Sequence, residues 1–129
     1  MKPYLASMLA IAFFVPCISQ AQDEPMKGLW ARGDGKAVVR IDNCGSDLCA
    51  VNTWIKPGTK GEKAGDKLVM SVKPSGGGVY EGQASDPQRN LTYKLKITTG
   101  SNSMTTRGCV LAGIVCKSVS WSRTTSETQ

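Results

Sequence analysis

Histidine is absent from all 129 residues, and aromatic residues make up only 6% of them. Without histidine no Ser-His or Cys-His nucleophile pair can exist, and a common zinc ligand is missing. The few aromatic residues are not interleaved with the basic ones, which argues against a nucleic-acid partner. Beyond Val15 no apolar run approaches the roughly 20 residues of a membrane helix, so no transmembrane segment is expected in the body of the chain. Also lacking are an amphipathic helix of useful length, an internal repeat and a linker.

The one long apolar stretch stands at the start. Lys2 precedes a run from Leu5 to Val15, Pro16 breaks it, and Ser19-Gln20-Ala21 puts small residues where a signal peptidase cuts. Residues 1–21 read as a secretory signal peptide cleaved after Ala21, which predicts a periplasmic or secreted protein. Lipidation at Cys17 is the rival, but Phe14-Val15-Pro16 is a poor match to such a site.

Loss of that leader leaves Cys44, Cys49, Cys109 and Cys116. An even number in an exported domain reads as disulfides, and spacing favours the sequential pairs Cys44–Cys49 and Cys109–Cys116. Each would clasp a short hairpin, contributing about 2 kcal/mol on a chain-entropy basis. A four-cysteine metal site is disfavoured by the spacing and the compartment, and neither a metal nor a cofactor is expected.

What is abundant is alternation. Leu91, Tyr93, Leu95 and Ile97 are separated by Thr92, Lys94 and Lys96; Leu68, Met70 and Val72 alternate with Lys67, Ser71 and Lys73. Ala37, Val39 and Ile41, like Val119 and Trp121, follow the same period of two, the mark of antiparallel strands wet on one face. Turn signals at 33–35, 43–47, 74–78, 85–90 and 100–103 divide the chain into strands near 28–32, 36–42, 48–55, 67–73, 78–84, 91–98, 103–109 and 116–123. Eight short strands predict an all-β, antiparallel up-and-down barrel of one domain over residues 22–123, with a β-sandwich as the alternative. Residues 124–129 carry no apolar side chain and are expected to fray.

Barrel or sandwich turns on whether the first and last strands meet. Gly28-Leu29-Trp30 opens the first, and Trp121-Ser122-Arg123 closes the last. Alternation puts Arg123 in the inward phase, tolerable for a guanidinium if it lies on the face of Trp30 at the barrel floor. A Gly-x-Trp answered by an Arg resembles the lipocalin signature. From about Met26 to Arg123 the chain also resembles an exported bacterial family, domain of unknown function 2147. The pieces carrying that likeness are GLW at 28–30, DGKAVVRI at 34–41, LC at 48–49, WIK at 54–56, Asp86-Pro87 followed by Tyr93, and the closing WSR. The resemblance implies a lipocalin-like barrel with a small apolar ligand in its cup.

Inward phase names the ligand-lining candidates: Val39 and Ile41; Leu68, Met70 and Val72; Tyr80; and Tyr93, Leu95 and Ile97. Between Cys109 and Cys116 lies an apolar loop, Val110 to Val115, expected to fold back and plug the barrel; the other reading is a lip around an open mouth. No catalytic residue is assigned and the protein is not expected to be an enzyme, since Glu81 and Asp86 are the nearest approach to a carboxylate pair and Asp86 before Pro87 reads as a turn former. Gly76-Gly77-Gly78 precedes neither helix nor Lys and reads as a turn. Losing Lys2 lowers the net charge from +6 to +5, with Lys67, Lys73, Lys94 and Lys96 on wet faces and further lysines in the 56–67 loop. The partners that follow are a small lipophilic ligand inside and an anionic envelope component outside.

Overall fold

The computed structural model describes residue 3, residues 9–14 and residues 24–129. The expected cleavage point after Ala21 and Cys17 lie outside the described residues, while Leu9, Ile11, Phe13 and Phe14 stand exposed and take no part in the core. A short 3-10 turn, η1 (Glu24–Met26), leads into eight strands: β1 (Gly28–Arg32), β2 (Ala37–Cys44), β3 (Asp47–Ile55), β4 (Lys67–Gly76), β5 (Val79–Asp86), β6 (Leu91–Thr99), β7 (Ser103–Val110) and β8 (Val115–Thr124). Each pairs antiparallel with its neighbour in sequence, and β8 returns to β1, which closes an up-and-down barrel. The sandwich is thereby excluded: Leu29 faces Thr124 and Arg32 faces Trp121 across the seam.

Alternation decides the inside. Trp30, Val39, Ile41, Leu48, Met70 and Tyr80, with Ala84, Leu95, Ile97 and Met104, are buried in one cluster, and Met26 from η1 is buried with them. Lys94 and Lys96, one step out of phase, are exposed. That cluster sits at the end of the barrel holding η1 and the β2–β3, β4–β5 and β6–β7 connections, and so forms a floor.

Floor and seam are joined by one residue set. The Trp30 indole N–H donates to the Met26 carbonyl at 2.9 Å, drawing η1 under the barrel. Arg123 places its guanidinium carbon 4.3 Å from the Trp30 ring centroid and donates to the carbonyls of Lys27 (2.9 Å) and Pro25 (2.8 Å). The ring face attracts the cation, and the carbonyls take the N–H groups that the ring cannot. Gly28 has φ +115°, and a Cβ there would meet an Arg123 nitrogen at 3.0 Å. Only glycine gives both the backbone angle and the room.

Two local departures from the sequence reading have clear causes. Pro74 and Ser75 do not turn; β4 runs on to Gly76 through an irregularity between Pro74 and Gly76, so the turn is the glycines Gly77 and Gly78. A proline at a break in the ladder needs no donor. The tail expected to fray is held by polar bonds: Thr53 Oγ1 donates to the Glu127 carbonyl (2.8 Å), Arg40 pairs with Glu127, and the Gln129 amide donates to the carbonyls of Ala37 (2.7 Å) and Arg32 (3.2 Å). Absence of apolar residues said nothing of amide and carboxylate partners. Disulfides join Cys44 to Cys49 and Cys109 to Cys116, the second across directly paired residues with Cα atoms 4.1 Å apart.

Replacing Arg123 by Ala should lower unfolding free energy by about 2 kcal/mol, from lost charged hydrogen bonds and ring contact. Arg123→Lys should lose most of the same amount, because an ammonium cannot reproduce the planar fork. Urea unfolding with the disulfides intact measures both, and a Lys variant as stable as the parent would show that charge alone suffices.

Candidate functional site

Opposite the floor, the β1–β2, β3–β4, β5–β6 and β7–β8 connections surround an open cup of about 1460 Å³. That is ample for a small ligand, pockets for which commonly hold roughly 300–1,000 Å³. Of the residues expected to line it, Val39, Ile41, Leu68, Met70, Tyr93, Leu95 and Ile97 do so. Val72 and Tyr80 do not: in register they face Gly82 and Ile97 toward the closed end, where Tyr80 is buried in the floor and Val72 packs against it. Phase placed them inside, but depth along the strand decides whether an inward residue meets the cup or the floor.

The cup also uses side chains beyond the ligand-lining candidates, among them Val119 and Trp121 of the apolar alternation on β8. Ala50 and Asn52 on β3, Met104 and Thr106 on β7, and Val119 and Trp121 on β8 line its wall. The Trp121 indole donates to Thr106 Oγ1 at 3.0 Å, which satisfies two polar groups on an otherwise apolar wall. Gly108 leaves room for the Tyr93 ring, which a Cβ would meet at 2.8 Å. Burial, with a smaller contribution from the Asp86 charge, pushes the Tyr93 phenol above its ordinary value. Alternation continued through Thr106 and Asn52 would have found them, had phase been followed across polar residues.

Charge gathers at the mouth. Arg32, the inward residue after Trp30, receives Glu62 from the long β3–β4 connection in a bidentate pair (2.6 and 2.9 Å) and Asp34 at 3.0 Å. On the far side, Arg89 of the β5–β6 turn bonds Asp86 at 2.8 Å, approaches Asp66 at 3.6 Å and donates to the Gly61 carbonyl. Consecutive residues Gly61 and Glu62 are therefore tied to β1 and to the β5–β6 turn, walls on opposite sides of an eight-strand ring. The segment 56–62 is a strap across the mouth, and its root is fixed where the Asn52 N–H donates to the Asp66 carbonyl (3.0 Å) and the Asn52 carbonyl accepts from the Gly65 N–H (2.7 Å). The hydrogen bond from Arg32 holds the Glu62 carboxyl below its ordinary 4.5, against some opposing burial. Burial pushes the Asp86 carboxyl upward, but bonds from Arg89 and Gln88 outweigh it and leave the group low.

The carboxylates considered as a catalytic pair separate on the structure. Glu81 and Asp86 are five positions apart on β5 and so project from opposite faces; Glu81 is exposed. The loop between Cys109 and Cys116 does not plug the barrel. Leu111 and Ile114 are 71% and 82% exposed at the mouth, while Val110 and Val115 border the cup. The disulfide explains the difference: it pins a directly opposed pair on the outer face, so the four residues beyond β7 turn back on β8 and cannot reach inward.

The model of a family described as an uncharacterized protein conserved in bacteria, DUF2147, matches residues 28–123, the span from the opening glycine of β1 to the stacked arginine of β8. No curated protein and no solved structure matches the chain.

Because the folded-state value of Glu62 lies below its ordinary 4.5, its clasp on Arg32 contributes fully above that pH and is lost as pH falls through the lower value. Glu62→Gln should therefore raise hydrogen exchange across residues 56–62 at neutral pH by roughly tenfold. Acid should reproduce that change in the parent protein. Equal exchange in parent and variant would mean that Arg89 alone holds the strap.

Proposed function

We propose, for a chain that belongs to the DUF2147 family, that it is an exported, non-enzymatic carrier which binds a small apolar or amphipathic molecule in its cup. The observation that carries this reading is the cup itself: about 1460 Å³ of open space, with a lower wall of Val39, Ile41, Met70, Leu95 and Ile97 and a charged rim. An apolar hollow that admits water is a poor place to leave unfilled, whereas an alkyl or isoprenoid chain would displace that water favourably. Polar groups near the mouth suit an amphiphile lying tail-down, with its head at the level of Arg32 and Glu62.

Export to the periplasm or beyond is supported by the two disulfides, which persist in oxidising compartments. It is supported also by the leader pattern, whose apolar residues Leu9, Ile11, Phe13 and Phe14 have no place in the barrel core. Among the described residues no helix is long and apolar enough to cross a membrane. A ligandless module acting through the outer basic row is the weaker reading, since Glu81 stands in register between Lys73 and Lys96 and offsets part of that charge.

Native mass spectrometry of protein purified from the exported fraction without detergent should show a discrete bound mass that unfolding releases. Ala50→Trp, which fills the cup from β3, should abolish that mass, with a modest fall in thermal midpoint because Ala50 also packs against the buried cluster. A clean apo mass that stays clean after incubation with fatty acids and isoprenoids would refute the carrier.

A further inference from the structure

The hairpin tip beyond the second disulfide is the part of the mouth that cup binding leaves unexplained. Leu111, Ile114 and Val115 are 71%, 82% and 52% exposed, and Leu91 at the start of neighbouring β6 is 42% exposed. Single exposed apolar residues are ordinary on any protein surface. Leu111, Ile114 and Val115 share one hairpin tip, and the backbone holds it in place: Leu111 (φ 53°), Ala112 (φ 56°) and Gly113 (φ 87°) are three successive left-handed residues. Leucine and alanine adopt that conformation only under strain, which the cross-strand disulfide at the base of the tip helps to maintain.

Charge points to what meets this tip. Residues 91–124, the whole of β6, β7 and β8, contain Lys94, Lys96, Arg107, Lys117 and Arg123 and no Asp or Glu. Arg123 is committed to the floor. None of the ion pairs among the described residues uses the other four. In register, Cys109 lies opposite both Lys94 and Cys116, and Lys117 follows at once; Lys94 stands on the outer face and Lys117, in the phase of Val115, on the cup side of the rim, so a cation flanks each side of the apolar tip's base. The acids of the mouth, Asp34, Glu62, Asp66 and Asp86, belong to other connections and are held by Arg32 and Arg89.

We infer that the β7–β8 tip docks the barrel onto an anionic phospholipid bilayer. Leu111, Ile114 and Val115 enter the boundary between headgroups and acyl chains, while Lys94 and Lys117 lie at the phosphate level. Docked this way, the mouth of the cup faces the membrane, so a lipophile passes between bilayer and cup without crossing bulk water. Only this last consequence rests on the carrier reading; the docking surface stands on exposure and charge.

The test is flotation of protein purified from the exported fraction with vesicles of phosphatidylcholine alone or phosphatidylcholine containing phosphatidylglycerol. The parent should float with the anionic vesicles and remain at the bottom with the neutral ones, and added salt should reduce flotation. Leu111→Asn with Ile114→Ser, where asparagine tolerates the left-handed angle, should weaken partitioning by about tenfold or more. Lys94→Glu with Lys117→Glu should do the same by a different route, so a folding defect in one pair, seen in its thermal midpoint, leaves the other to decide. Flotation of both variant pairs equal to the parent, or no flotation of the parent on either vesicle, overturns the docking surface. A soluble fluorescent fatty acid, titrated without vesicles, judges the cup separately and should bind the parent and the Leu111→Asn, Ile114→Ser variant alike, since neither residue lines the cup.

Discussion

The barrel depends on the contact between Arg123 and Trp30. An eight-stranded sheet is stable as a barrel only when its two edges meet, and here the edges meet at the positions that also make the floor. Arg123 comes from the last strand, Trp30 from the first, and the carbonyls of Pro25 and Lys27 from the segment ahead of the first. One guanidinium thus links seam, floor and entering chain. Gly28 is part of the same device, because a side chain there would occupy the space the guanidinium needs.

With one end closed by this contact, the other end is free to vary, and the charged and apolar features are divided there by sector. The β1–β2, β3–β4 and β5–β6 connections are acidic and basic together, and the acids Asp34, Glu62, Asp66 and Asp86 are taken up by Arg32 and Arg89. The β7–β8 connection has neither acid nor polar clasp, only a disulfide and exposed aliphatic side chains. Tethering of the strap uses ion pairs, which respond to pH and salt, whereas the tip is held covalently.

Most of the barrel was legible in the sequence because an antiparallel strand with one wet face prints its geometry directly as alternation. β1 was placed as observed, and β6 and β8 to within a residue at each end, since Lys94, Lys96 and the serines of β8 stand out against their apolar neighbours. Disulfide pairing was legible because each pair closes a short hairpin. Depth was not legible: Tyr80 and Tyr93 share a phase, yet one is floor and the other wall, and only the register of neighbouring strands tells them apart. The Glu62–Arg32 clasp joins residues 30 positions apart through a long connection whose path no local pattern records. For the β7–β8 tip the sequence left two directions open, plug and lip, because apolar side chains favour burial; the direct pairing of Cys109 with Cys116 on the outer face decides for the lip.

Closure of β1 on β8 also sets an order of events for the growing chain. Every other neighbour pair in the barrel is adjacent in sequence, so seven hairpins can zip locally as they emerge. The eighth pairing brings residues 29–32 against 121–124, and until that segment arrives the nascent sheet keeps two open edges and an uncovered tryptophan. The polar bonds of Gln129 to the carbonyls of Arg32 and Ala37 extend this dependence to residue 129 itself. A chain with such a long-range final step stays unlocked until its far end is made, and gains its closed form only then.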